Sequence, residues 1–116
     1  MRALAIFLLL LGAGRTLGAE ESADRQVAFG LKVAQKGLWQ EARFRFERAT
    51  QLEPSNASAL NNLAVALEQM GEFEEARKAY EKALSLKAGD IYIQQNYDLF
   101  READDKRNRK SRRKRP

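Results

Sequence analysis

The chain repeats itself at an offset of 34 residues. Residues 57–90 laid on 23–56 without a gap coincide at nine of the 34 positions: Ala57 on Ala23, Gln69 on Gln35, Gly71 on Gly37, Glu75 on Glu41, Ala76 on Ala42, Arg77 on Arg43, Glu81 on Glu47, Ala83 on Ala49 and Leu86 on Leu52. The aromatic positions correspond as well, Phe73 with Trp39 and Tyr80 with Phe46. Unrelated segments would match at roughly one position in fifteen, so this is a duplicated unit, and such a unit must stack on its copy to bury its apolar face.

Periodicity shows what the unit is. Leu60, Leu63, Ala64, Leu67 and Met70 fall on one face of a helix. Phe73, Ala76, Ala79, Tyr80, Ala83, Leu84 and Leu86 form a second stripe beyond Gly71. Gly71 stands where the first helix must stop, because glycine enters the left-handed conformation of a helix end without a Cβ penalty. Copy one reads the same way. A helix runs to about Lys36, with Val27, Phe29, Gly30, Leu31, Val33 and Ala34 apolar, and a second spans about Leu38 to Leu52 on Trp39, Ala42, Phe46 and Ala49. Ser22 is the expected N-cap of the first helix, and Ser55 or Asn56 that of the third. Gly30 and Ala64 share a register position where a small residue lets two helices approach closely, so Gly30 reads as a packing residue.

A 34-residue helix–turn–helix unit resembles the tetratricopeptide (TPR) family. In copy two the matching residues are Leu60, Leu63, Ala64, Leu67, Gly71, Phe73, Ala76, Tyr80 and Ala83. In copy one they are Phe29, Gly30, Val33, Gly37, Trp39, Ala42, Phe46, Ala49 and Pro54. Ala88 departs from the pattern, standing where Pro54 ends the first copy. The expected fold is all-α: a TPR-type α-solenoid of repeat 1 (23–56), repeat 2 (57–90) and a C-terminal capping helix (91–105), together forming a domain over 20–105. Asp90 is placed to cap that last helix, and Ile93, Tyr97 and Phe100 give it one buried stripe. In its register Asp98 replaces Gly30 and Ala64, and Arg101 replaces Val33 and Leu67. Polar residues at those positions suit an end helix exposed to water.

The two ends differ from the body. Residues 1–19 combine Arg2, an apolar run from Ala3 to Leu11, the Gly12–Gly14 break and small residues at Gly18 and Ala19. This is the layout of a signal peptide cleaved after Gly18 or Ala19, and the run is shorter than the ~20 residues a membrane span needs. The expectation is export, to a periplasm or outside the cell. The alternative is a membrane tether formed by an uncleaved leader. At the other end, 106–116 holds Lys106, Arg107, Arg109, Lys110, Arg112, Arg113, Lys114 and Arg115 without an acid, and it is expected to be disordered. The net charge of +5 therefore conceals +2 from Arg2 and Arg15, a body of about −5 and a tail of +8.

The chain contains neither Cys nor His, which excludes disulfides, thiol chemistry, imidazole catalysis and metal sites built on those ligands. No residue set offers a nucleophile beside a base. Glu72, Glu74 and Glu75 are explained by the dipole of a helix start, and Asp104 and Asp105 are adjacent and so diverge on a helix. The expectation is a non-enzymatic adaptor without cofactor or metal. The resemblance implies a concave groove for a protein or peptide partner, lined by Val27, Leu31 and Gln35, then Asn61, Asn62, Val65, Glu68 and Gln69, then Tyr92 and Asn96. The family's carboxylate clamp needs cations and asparagine where this chain has Val27, Leu31, Asn62, Tyr92 and Asn96, and only Asn62 fits. Glu68 disfavours an acidic peptide at its own position. Weak polyanion contact through the tail, with anionic lipid or nucleic acid, is the alternative function. Self-association through the first helix, around Val27 and Leu31, is a further expected contact.

Overall fold

The structure is a computed structural model that describes residues 21–116. Five helices follow one another: α1 (Ala23–Gln35), α2 (Trp39–Leu52), α3 (Ala57–Gln69), α4 (Phe73–Leu86) and α5 (Ile91–Arg113). The signal peptide expected over residues 1–19 lies outside the described residues.

Side chains fix the starts of α1, α3 and α5. The Ser22 hydroxyl accepts from the Arg25 amide at 3.2 Å, and Asn56 Oδ1 accepts from the Ala59 amide at 2.9 Å. Asp90 Oδ1 accepts from the amides of Tyr92 and Ile93 at 3.0 and 3.1 Å. Each satisfies donors that the first helical turn leaves without a partner. Of the two candidates ahead of α3, the cap is Asn56. The hairpin turns are set by glycine. Gly37 and Gly71 have φ of +76° and +78°. Around each, two bonds close the helix end: Gly37 N to Ala34 O with Leu38 N to Val33 O, and Gly71 N to Glu68 O with Glu72 N to Leu67 O. This is the paired-bond geometry of a left-handed helix terminus.

The seams are built largely from alanine. Ala23, Ala49 and Ala59 meet where α1, α2 and α3 converge, and Ala42, Phe46 and Ala66 form the neighbouring cluster. Ala57, Leu60, Ala83 and Ile93 join α3, α4 and α5, beside a larger cluster of Ala64, Leu67, Ala76, Ala79, Tyr80 and Phe100. Small residues let the backbones approach, and the volume is filled by Phe46, Tyr80 and Phe100, the largest fully buried side chains. Gly30 faces Phe46 so closely that a Cβ there would lie 2.5 Å from the ring, which accounts for glycine at that position.

Within each hairpin the helices pack side by side. Between hairpins α3 packs on both α1 and α2, and α5 on both α3 and α4, whereas the backbones of α2 and α4 do not approach each other. The odd-numbered helices therefore line the inner face of a shallow arch and the even-numbered helices its outer face. Both ends of the stack are polar. Arg25 and Lys32 on α1 hold the register of Ala59 and Ala66, which α3 buries. At the far end Asp98 and Arg101 are exposed on α5.

Two sequence expectations change. The basic segment is not separate from the fold, because α5 runs through it to Arg113, well beyond 105. In register, position 105 is Asp where the repeats have Gly37 and Gly71, so no left-handed stop ends the helix. Lys and Arg are good helix formers and favour the C-terminal end of the dipole. The second change concerns α1. Val27 is half-buried against Ala23, Ala49 and Ala59, so only part of it is left on the surface where the self-association contact is expected. The outward aromatic there is Phe29, 44% exposed, with the Arg45 guanidinium carbon 4.2 Å from its ring centroid.

Candidate functional site

The inner face carries a concavity walled by residues of three helices. Leu31, Ala34 and Gln35 of α1, Trp39 and Phe46 of α2, and Asn62 and Val65 of α3 enclose a cleft of about 230 Å³. Four of the groove residues expected from sequence, Leu31, Gln35, Asn62 and Val65, come together here. The cleft exists because α1 and α3 touch near Ala23, Val27 and Ala59 while the side chains of Leu31 and Val65 leave space between them. It falls below the ~300–1,000 Å³ of small-molecule sites, so it suits protein side chains better than a free metabolite. A larger hollow of about 550 Å³ runs along Gly37–Glu41, but the residues of a single turn wall it and nothing faces them.

The remaining expected residues are placed differently. Asn61 and Asn96 meet across α3 and α5, with Asn96 Nδ2 donating to Asn61 Oδ1 at 3.2 Å. Glu68 is not a free groove acid. It is half-buried and accepts the Tyr80 hydroxyl proton at 3.0 Å. Burial, then the Glu68 charge and this bond, push the Tyr80 phenol well above its ordinary range. Gln69 is exposed on α3, and Tyr92 is 74% exposed at the start of α5. Val27 packs half-buried at the edge of the Ala23, Ala49 and Ala59 cluster.

Leu99 was missed. It lies 34 residues beyond Val65, which itself lies 34 beyond Leu31, so the three hold equivalent positions on the three inner helices. Leu31 and Leu99 are 45% and 66% exposed. The same register that sets Asp98 against Ala64 sets Leu99 against Val65. Asn62 and Asn96 are related in the same way and flank this apolar ladder with amides.

The second unexpected feature is a junction between α4 and α5. Asp104 is 6% exposed and accepts hydrogen bonds from the guanidinium groups of Arg77 and Arg107, the latter at 3.1 Å. Arg107 also sits with its guanidinium carbon 3.5 Å from the Phe73 ring centroid. The stripe Ile93, Tyr97, Phe100 therefore continues through Asp104 to Arg107. Arg107, assigned from sequence to the solvated tail, is part of the fold.

Among the described residues no group of three or more acidic side chains is placed to hold a metal ion, and no helix is long and apolar enough to cross a membrane. The model of the tetratricopeptide repeat matches residues 57–90, and a second model, described as TPR repeat, matches 30–71. The chain belongs to the tetratricopeptide-repeat family.

Among curated relatives this TPR chain is similar to the type IV pilus assembly protein PilF of Pseudomonas aeruginosa, with 30% identity over 83 residues. That match covers 72% of the chain but 33% of PilF, so the chain spans about a third of that relative's length. Among solved structures, the Sgt2 TPR domain of Aspergillus fumigatus aligns with a TM-score of 0.71 at 19% identity, covering 76% of this chain and 60% of that one. At that identity the likeness concerns the fold alone. MamA aligns with a TM-score of 0.67 at 31% identity, covering 75% of this chain and 51% of MamA. TPR domains typically mediate contacts between proteins, and this chain has their helical architecture.

Proposed function

We propose that this TPR chain is a non-enzymatic adaptor that holds an extended or helical segment of a partner protein on its inner face. The observation that carries the reading is the cleft between α1 and α3, where the exposed Leu31 and the half-buried Val65 flank an opening backed by Trp39 and Phe46. Such a cleft accepts apolar side chains, and Gln35 and Asn62 at its rim can bond a peptide backbone. The leader 1–19 supports placing this work outside the cytoplasm, and the similarity to a pilus assembly protein supports a place in an exported assembly. Reading the mature N-terminus by mass spectrometry tests export: an intact Met1 refutes it.

Site-specific photo-crosslinking in the native host tests the adaptor role. A crosslinker at position 31 or 65 should join one defined segment of one partner, and one at Lys78 on the outer helix α4 should not. Val65→Glu should abolish the inner-face crosslink from position 31 without loss of helical signal. Equal crosslinking from both faces, or none from the inner face, refutes the groove. A second reading, polyanion capture by the C-terminal cations, is supported by Lys106, Arg109, Lys110 and Arg113 grouping around one hollow on α5.

A further inference from the structure

Because Arg107 and Asp104 fix α5 to α4, the cations beyond them have a defined direction. A rise of about 1.5 Å and a turn of about 100° per residue put Lys106, Lys110 and Arg113 on the face of α5 that carries Leu99. Lys106 lies about 10 Å along the helix from Leu99, and Arg113 about 21 Å. Lys106, Arg109, Lys110 and Arg113 together border a shallow hollow of about 220 Å³. The inner face thus changes character along α5, from an apolar ladder with flanking amides to a row of exposed cations.

We infer that the partner segment is bipartite: apolar residues that seat on the Leu31–Val65–Leu99 ladder, joined to an acidic run that lies along the cationic face of α5. The inference rests on the groove reading above and adds the chemistry of its occupant. Charge complementarity selects an acidic polypeptide. A nucleic acid has no counterpart for the apolar ladder, and no aromatic side chain from 101 onward is there to stack on its bases. Residues 104–115 contain no hydrophobe to enter a bilayer, and a lipid headgroup has no counterpart for the apolar ladder. The Tyr80 hydroxyl occupies Glu68, and the acid on the row itself is Glu102, which accepts from Lys106 at 3.3 Å, so an acidic segment displaces Glu102 at Lys106 and meets Arg109, Lys110 and Arg113 directly. An extended chain covers about 3.3 Å per residue, so about three to six residues separate the last apolar anchor from the acids.

The chain has a single tryptophan, Trp39, and it lines the cleft, so its fluorescence reports occupancy there. The probes are two synthetic peptides without aromatic residues. Each carries two leucines, a serine–glycine spacer and a terminal run of four residues, glutamates in one and glutamines in the other. The expected result with the full chain is a saturating change in Trp39 emission, with the glutamate peptide binding on the order of tenfold tighter at low salt. The quadruple variant Lys106→Gln, Arg109→Gln, Lys110→Gln and Arg113→Gln leaves Arg107 and Asp104 in place. It should bring the glutamate peptide down to the affinity of its glutamine twin, with circular dichroism confirming an intact fold. Equal affinity of the two peptides for the unaltered chain overturns the bipartite partner but leaves the groove. Failure of both peptides to move Trp39 emission overturns the groove itself. Anionic phospholipid vesicles or a random DNA duplex binding more tightly than the glutamate peptide, through the same four cations, also overturns the inference.

Discussion

The Arg107 guanidinium carbon lies 3.5 Å from the centre of the Phe73 ring, and the same side chain reaches Asp104 at 3.1 Å. A residue that a linear reading assigns to a solvated tail thus closes over the first aromatic of the second repeat's outer helix. Cation–π and ionic contacts act together here, with Arg77 held by the same carboxylate.

Replacing Asp104 by Asn removes the charge that two guanidinium groups share. Breaking a buried pair costs about 3–5 kcal/mol, and because both arginines are more than a third exposed a loss of about 2 kcal/mol is expected. Denaturant unfolding should show a lower midpoint at unchanged slope. Amide exchange should quicken from 106 onward before it does in α3.

Gly30→Ala tests two opposing effects. Alanine favours a helix by about 1 kcal/mol over glycine, but a Cβ 2.5 Å from the Phe46 ring overpacks a site where that ring is fully buried. Overpacking costs about 1–3 kcal/mol, so a net destabilisation of about 1 kcal/mol is expected. Phe46→Leu in the same chain should recover part of it, as thermal unfolding will show.

Gly71 has φ of +78° and open space where a side chain would go. Gly71→Ala should therefore cost about 1–2 kcal/mol through backbone conformation alone, and Gly71→Asn less, because asparagine tolerates the left-handed region. Equal losses for both variants would mean that sterics outside the backbone decide. Gly37 should behave in the same way.

Tyr80 and Tyr97 both ionise above the ordinary phenol range, chiefly through burial. A pKa raised by folding contributes stability that is fully present below the unfolded value near 10, and it is lost as pH rises beyond it. Stability should be flat through neutral pH as far as these groups are concerned and fall above about pH 10. Tyr80→Phe should cost about 1 kcal/mol at neutral pH by losing the bond to Glu68, and it should flatten the alkaline fall. Unfolding midpoints across alkaline buffers will measure both.

Much of the architecture was legible because it repeats. Gly37 and Gly71, set 34 residues apart, mark the turns, and Ser22 and Asp90 announce helix starts by their chemistry. What escaped lies where the register outruns the recognisable unit. Leu99 continues Leu31 and Val65, but between Asp98 and Arg101 on an end helix it reads as one more leucine. Asp104 and Arg107 sit in a charged run, and charge by itself does not say whether a side chain faces water or a partner. Their burial follows only once α5 is seen to pass position 105 without a glycine. Glu68 illustrates the opposite error: its position on an inner helix was read correctly, while the Tyr80 hydroxyl that occupies it came from the neighbouring helix.

The unbroken course of α5 also shapes how the molecule approaches other molecules. With negative charge spread over the stacked hairpins and positive charge gathered on the end of a protruding rod, the protein is a permanent electric dipole. In solution it turns, before any contact, so that the rod leads toward an oppositely charged surface. First collisions are thereby biased to that tip, and added salt slows the capture step more than it hastens release.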